Sequence, residues 1–567
     1  TLQVEVGSRV GSGLPVSTRS VQLLGPEQIR STPSRTLSDL LEWATGVEVQ
    51  SRSPMQSDLS IRGAGFEQVV VLVDGVRMSD PQTGHFDLDL AVPLDQISRI
   101  EILRGPASAL YGADAVGGVV NVVTKSGDDG WHGRMEGGSW GTARLSVGGG
   151  FDAGGGSSAR LGGEGSRSDG HRPGTDFEAA LLHGTFGHGF ASGRLSGNLG
   201  LARRDFGARD FYAPYPSYER TRTYTTALRW NTEGQDPGRS QVRAEVGISA
   251  RRHEDEFTLI RDEPEVYRNS HASSQIGAET LLGWSADGTL ELAFGGELFG
   301  DLLRSNSLGD RGETRGAVYA EAALGGERSG ALSVGLRHDW HEGFGSFLSP
   351  SLSGSFRIGS GMRIRGAVGR SFRAPTWTER YYEDPVNVGR VDLDPERAWS
   401  GELGLDLVPF PSFRVSVTAF LRRAEDLIDW ARPAGGDGDA PWETRNVEKA
   451  TFKGLEGELS GTGPLALLWT LGGSWIHVNF REERGYVSKY ALRPLEQQIQ
   501  ATVRRAFWGS TSLGLNLLRG RRQGEDAYHR LDARWSLGIG SYSLYLDATN
   551  LLDADYSDFT GAPAPGR

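Results

Sequence analysis

Cysteine is absent from all 567 residues. That excludes a disulfide scaffold and a thiolate metal centre. Long apolar runs are absent too. No stretch reaches the roughly 18 apolar residues that a membrane-crossing helix requires. Hydrophobic types supply only 37% of the chain, against an ordinary ~45–50% on a grouping that also counts glycine. Positive charge is in deficit, with 60 Lys and Arg against 72 Asp and Glu and a net charge of -12. A chain so charged has little bulk attraction for nucleic acid, which is not expected as a partner. The first residues carry no charged-then-apolar leader, which predicts either a cytosolic protein or a mature chain whose leader has been removed.

Catalytic signatures are equally scarce. There is no H-E-x-x-H and no G-x-x-x-x-G-K-[ST], so the chain has no nucleotide loop with which to energise itself. Gly137–Gly141 satisfies G-x-S-x-G. That motif needs a strand-to-helix elbow, and here it sits in a glycine-rich β stretch, so it reads as chance. No enzyme is expected.

Glycine is plentiful, at 81 residues, about twice the usual ~7%. It follows no G-X-Y period, which excludes collagen. The 14 Trp, 15 Tyr and 22 Phe argue against wholesale disorder. Composition changes near residue 126. Residues 1–125 read as a compact α/β unit. A helix is expected over Pro26–Leu41, capped by Ser34, with Leu37, Leu40 and Leu41 at helical spacing. Short strands follow at Val69–Val73, Ile100–Leu103 and Val119–Thr124, with an Asp74-Gly75 turn after the first.

From Trp131 onward, alternation of period two recurs almost to the end. In 223–230, Tyr224, Thr226, Leu228 and Trp230 share one face. The segments 241–251, 400–407 and 413–421 alternate in the same way. Each is about ten residues long, and ten tilted residues span a bilayer core. Short glycine turns (near 234–238, 286–288, 325–330 and 359–361) alternate with longer polar loops. Faces bearing Arg, Glu and Asp at every second position must point into a lumen. A water-soluble sandwich or propeller is the alternative, and the strand length and loop rhythm disfavour it. At roughly 20 residues per strand and connection, the pattern predicts a transmembrane β-barrel of about 22 antiparallel strands. A barrel that wide is filled by a plug, and the N-terminal α/β unit has the size for one.

Several segments carry a family resemblance. LSIRGAGFEQVVVLVDGVRM (59–78) and IEILRGPASALYGADAVGGVVNVVTK (100–125) closely resemble the plug signatures of TonB-dependent outer-membrane receptors. GRSFRAPTWTERYY (369–382), LDPERAWSGELGLDL (393–407), NVEKATFKGLEGEL (446–459) and DATNLLDADY (547–556) are similar to late barrel strands of that family. Residues 205–224 resemble a loop of its cobalamin-receptor-like branch. The resemblance implies a coupling segment over 1–8, a plug over 9–126 and a barrel over 127–567. It implies a place in the bacterial outer membrane, in contact with its lipid, and a monomer. It further implies active uptake of cobalamin or a ferric siderophore, driven by the inner-membrane proton-motive force through TonB with ExbB and ExbD. A passive plugged porin or a barrel enzyme is the alternative. Family chains run on into a final strand after a motif like PAPGR, so a closing strand is expected to be missing here.

Site residues follow from the same resemblance. Thr1, Leu2, Gln3, Val4, Glu5 and Val6 look like a TonB box, departing from the usual pattern at Glu5 and Gly7. An extended segment of this kind can add as a strand to a partner sheet. Arg62 and Arg104 lie in plug turns, and the alternation places Glu402, Glu456 and Glu458 on the lumen face. A carboxylate held between plug and wall is costly unless paired, and the family implies a plug–barrel latch of this composition. The polar loops 51–58 and 78–90 offer Gln56, Asp80, Gln82 and His85 to a ligand. Tyr212, Tyr215 and Tyr218 suit either a bulky ligand or an interfacial belt. Glu254, Asp255 and Glu256 are candidates for calcium, although their spacing matches no defined calcium loop.

Overall fold

A computed structural model describes residues 6–9, 18–127, 129–211, 214–232, 241–286, 289–326, 330–434, 440–481, 485–489, 494–507, 510–559 and 562–566. Residues 20–124 build a small α/β unit. Its five-stranded sheet runs in the order Ser20–Leu24, Ile97–Arg104, Gly118–Thr124, Val69–Val73 and Val76–Arg77. Val69–Val73 pairs parallel to Gly118–Thr124. All five of its residues are buried, as expected of a strand covered on both faces. One side packs Leu24, Leu40, Ile100, Ile102, Val120 and Val122 into a single core. A separate hairpin, Val47–Ser53 with Gln56–Ile61, leans on it.

Three expectations for this unit fail. The helix over 26–41 is two helices, Pro26–Ser31 and Leu37–Leu41. Pro33 drives the residue before it out of the helical region, and Thr32 is extended at φ -81°, ψ 133°. Ser34 caps neither helix. Thr36 does so, in a reciprocal capping box with Asp39. The stretch 51–58 is not a loop between strands but the tip and arms of the hairpin.

Apart from a small separate pair, Ser557–Phe559 with Ala562–Pro563, the remaining strands form a closed barrel. Its order holds 23 strands, of which Asn387–Val388 and Tyr486–Ser488 are short pieces of outer loops, leaving 21 that cross. Alternation places the faces as expected. Along Tyr218–Asn231, Thr223, Thr225 and Ala227 are buried against the interior while Tyr224, Thr226 and Leu228 face out. Lipid-facing side chains include Leu298, Val318, Leu403 and Leu455. Many strands outrun the ten-residue estimate. Phe413–Pro433 has 21 residues and Trp442–Gly463 has 22, so the wall continues well beyond the hydrocarbon. Much of 205–224 is also strand rather than loop. Where Trp131–Gly137 meets Tyr542–Ala548, the Tyr545 hydroxyl donates to Glu136, and Arg134 lies over the Tyr545 ring.

The α/β unit lies inside the barrel, because its side chains meet wall residues all round it. Arg62 touches the strand Trp442–Gly463, Asp80 touches Gln241–Thr258, and Glu42 touches Tyr528–Ile539. One rim carries tight turns, as at Gly359–Gly361. The other carries longer loops, the largest between Arg373 and Glu396.

Candidate functional site: the plug–wall interface

The hairpin ends at Ile61, and Arg62 then turns into the left-handed region at φ 54°, a strain of about 1–2 kcal/mol for a residue with a Cβ. Its backbone N–H donates to Gly46 O at 3.0 Å. The turn aims the guanidinium at the wall. Nε and Nη2 donate to the two oxygens of Glu456, each at 2.8 Å, and Nη1 donates to Glu402 at 2.7 Å. The Phe420 ring lies 4.6 Å beneath the cation. Burial alone would lower the Arg62 pKa, but Glu456 and Glu402 outweigh it and hold it raised. Gly46 closes the site from below. A Cβ there would stand 2.3 Å from Glu456 Oε1, and its φ is +72°.

Arg104 joins the cluster with Nη1 3.4 Å from Glu456, while donating to Thr45 O at 2.8 Å. Glu402 also accepts the backbone N–H of Ser20 at 3.0 Å. Glu458 engages the plug through an amide: Gln22 Nε2 donates to it at 3.1 Å. The structure thus gathers Arg62, Arg104, Glu402 and Glu456 into one cluster, with Glu458 on a neighbouring contact. The fork geometry suits the bidentate arginine pairing that makes such contacts strong.

Further ties escaped the sequence reading. Arg373 grips Glu379 with two bonds of 2.8 Å and Glu396 with one of 2.7 Å, and Gln68 of the plug donates to Glu396. Arg530 makes two bonds to Glu42, at 2.9 and 2.7 Å. Arg522 donates to Glu48. None of these residues lies in a segment whose alternation was read, and nothing local named the plug partner.

The four plug candidates for ligand contact are placed differently from one another. Asp80 is fastened to the wall, accepting from Arg251 at 2.7 Å and Ser273 at 2.8 Å. Burial would raise its pKa, but Arg251 and His253 hold it lowered. Gln82 is buried beneath the outer loop, whose Thr378 N–H donates to Gln82 O at 3.1 Å. Gln56 is buried with both amide atoms unpaired. Only His85 is half-buried, bonded to Asp58 at 2.8 Å and stacked on Phe66 at 4.2 Å. Burial would raise Asp58 as well, yet His85 and Arg52 hold it lowered. In this conformation, three of the four are closed to the exterior.

Tyr215 is exposed on the outer rim, and Tyr218 lies 4.1 Å beneath the Arg261 guanidinium. Tyr212 lies outside the described residues. Glu254 and Glu256 point outward from one strand while Asp255 points inward, so the three cannot share one ion. Among the described residues, no group of three or more His, Asp or Glu side chains can hold a metal. Gly137–Gly141 ends a strand and enters an outer turn with no helix after it. A cavity of about 280 Å³ separates hairpin residues Ser53 and Met55 from wall residues Trp140 and Phe177.

Thr1–Glu5 lie outside the described residues. Val6 is buried, its N–H donating to Glu101 at 2.9 Å and its carbonyl accepting from Tyr111 at 3.2 Å. Arg9 reaches Glu297 at 3.0 Å, and its backbone N–H donates to Glu321 at 2.7 Å. Arg243, near the tight-turn end of its strand, donates to Arg9 O at 3.1 Å.

A TonB-dependent receptor plug-domain model matches residues 16–119, and a TonB-dependent receptor-like β-barrel model matches 126–556. The chain belongs to the TonB-dependent receptor family. This receptor is 26% identical over 459 residues to the vitamin B12 transporter BtuB of Photobacterium profundum, covering 77% of this chain and 72% of that one. It is 25% identical over 550 residues to the iron-regulated outer membrane virulence protein of Vibrio cholerae, covering 84% and 77%. In fold it is similar to the siderophore receptor PirA of Acinetobacter baumannii, with a TM-score of 0.77 at 17% identity over 96% and 97% of the two chains. The ferric enterobactin receptor PfeA of Pseudomonas aeruginosa gives 0.78 at 20% identity over 96% and 94%. Like its family, this is a receptor of the outer membrane, crossing it as a β-barrel.

Proposed function

We propose that this receptor actively imports a scarce, bulky ligand, cobalamin or a ferric siderophore, across the outer membrane. Ligand docks on the plug apices and outer loops. The plug then shifts, and Thr1–Val6 becomes available to TonB as an added strand. ExbB and ExbD couple that grip to the inner-membrane proton-motive force. Arg62, Arg104, Glu402, Glu456 and Glu458 act as the latch that keeps the plug seated until it is pulled. The observation that carries this reading is how the plug is held: folded around its own apolar core, it is tied to the wall largely by buried polar contacts. Such a plug can be displaced as a unit, and a chain without a nucleotide loop must draw the work from a partner.

The vitamin B12 transporters among its relatives favour cobalamin. The iron-regulated Vibrio cholerae relative favours a ferric chelate. So does an arginine–aromatic pair on the outer rim, Arg311 over Tyr381 at 3.9 Å, which suits an anionic aromatic ligand. A binding screen of cobalamins, ferric chelates, haem and oligosaccharides on purified receptor decides between them. Deleting Thr1–Val6 tests the coupling: uptake is abolished while binding of the identified ligand persists. Uptake that survives the deletion removes this reading.

A further inference from the structure

The outward face of the wall is not uniformly apolar above its lipid-facing band, and one sector differs from the rest. Four adjacent strands, Met362–Arg373, Glu396–Phe410, Phe413–Pro433 and Trp442–Gly463, bring five cations together on that face. Arg370 stands opposite Trp399, and Trp399 opposite Arg423. Arg397 stands opposite Glu425, and Glu425 opposite Lys449. Lys453 stands opposite Leu421. With strands about 4.8 Å apart, the five cover roughly 14 Å of wall. Glu425 is the carboxylate within this patch, paired to Lys449 at 3.1 Å, and Asp426 borders it beside Arg397. Among the described residues, Arg370, Arg397, Arg423 and Lys453 have no carboxylate within ion-pair distance.

The opposite sector shows that this is not the general condition of the wall. Arg203, Arg220 and Arg252 also point outward, and each has a carboxylate: Asp205 at 2.6 Å, Glu256 at 3.1 Å and Glu254 at 2.9 Å. Immediately below this cationic patch the surface turns apolar. Leu403, Ala419, Leu455 and Trp475 lie in one cross-strand row, with Leu403 64% and Trp475 47% exposed. Trp399 stands among the cations themselves. Trp at the boundary marks the headgroup level, so these cations meet headgroups while the row beneath them meets acyl chains.

We infer that this sector is a binding site for a phosphorylated, acylated glycolipid of the outer leaflet. Guanidinium forks and ammonium groups would take the phosphates, the leucine and tryptophan row would take the chains, and both would be supplied by one molecule standing against the wall. This site is on the outside of the barrel and is independent of the imported ligand.

The test uses the full-length receptor in detergent, with native mass spectrometry after addition of bisphosphorylated lipid A, the same lipid with both phosphates removed, or inorganic phosphate. The receptor should retain the bisphosphorylated lipid. The triple variant Arg397→Ala, Arg423→Ala, Lys453→Ala should weaken retention by roughly a hundredfold, each cation being worth about fivefold at an anionic headgroup. The triple variant Arg203→Ala, Arg220→Ala, Arg252→Ala on the paired sector should bind like the parent. Arg423→Lys, which keeps the charge but loses the planar fork, should fall between the parent and Arg423→Ala. Heat-modifiable gel mobility identifies folded barrels, so only variants that retain it are compared. Equal retention by the two triple variants, equal retention of the dephosphorylated lipid, binding of inorganic phosphate without lipid, or occupation of the sector by a protein instead would each overturn the inference.

Discussion

The plug and the surface on which it sits are built on opposite principles. Inside the plug, Ile100, Ile102, Val120 and Val122 are fully buried among other aliphatic side chains. Between plug and wall, contacts run largely through arginines, carboxylates and amides, with small apolar bridges such as Val116 against Phe452 and Ala113 against Phe347. An apolar core is non-directional and resists opening in every direction. A charged contact depends on geometry, and its groups can be rehydrated once they separate. The contrast separates a part that stays folded from a boundary that can part.

The largest expected effect breaks that boundary. Arg62→Ala removes three charge-assisted bonds from two buried carboxylates, leaving Glu456 with Arg104 and Glu402 with the Ser20 N–H, and should weaken the plug–wall attachment by about 3 kcal/mol. Planar-bilayer recordings should then show openings that the parent lacks, with Arg62→Lys intermediate. Ile102→Ala attacks the other side of the comparison. A buried aliphatic truncation costs about 2–5 kcal/mol, and hydrogen exchange should rise at Val119–Val122 while the wall strands stay protected. Should both variants give the same exchange pattern, core and boundary are not separate units.

A smaller effect depends on pH. Burial pushes the Asp87 carboxyl well above its ordinary value. A group with a raised folded pKa favours the folded plug at low pH and loses that contribution as pH rises from the unfolded value through the folded one. Asp87→Asn should therefore stabilise the plug at neutral pH and flatten this part of its pH profile. Asp58 and Asp80 act in the opposite sense. Their pKa values are lowered, so their contribution is present above the unfolded value and lost as pH falls through the folded one. Calorimetry of Asp80→Asn should show its largest deficit at neutral pH and a shrinking one below about pH 4. The smallest effect is expected at the exposed Arg390–Asp392 pair on the outer loop. Arg390→Ala should change stability by no more than about 0.5 kcal/mol.

Period-two alternation made the wall readable, because a strand with one side in lipid and one in the lumen must repeat every second residue. It placed Thr418, Phe420 and Arg422 inward, where all three are buried. It also placed Glu402 and Glu456 on the lumen face, and the family resemblance added Arg62 as their partner. What was not readable depended on distant contacts. Asp80 resembles any turn aspartate, and its partner Arg251 lies 171 residues away. The hairpin tip over 51–58 is polar in sequence, yet Gln56 and Asp58 are buried because the wall closes round them. The single helix expected over 26–41 failed on a local rule, the proline at 33, which outweighed leucine spacing.

Glu402 accepts at once from Arg62 and from the backbone of Ser20, and Ser20 opens a strand that, among the described residues, pairs with one neighbour, Ile97–Arg104. A pull applied at the N-terminal end would reach, after the contacts of Val6 and Arg9, a sheet margin, the part of any sheet that peels with least work. As that margin lifts, the same carboxylate loses a donor, so mechanical load and electrostatic release meet on a single side chain.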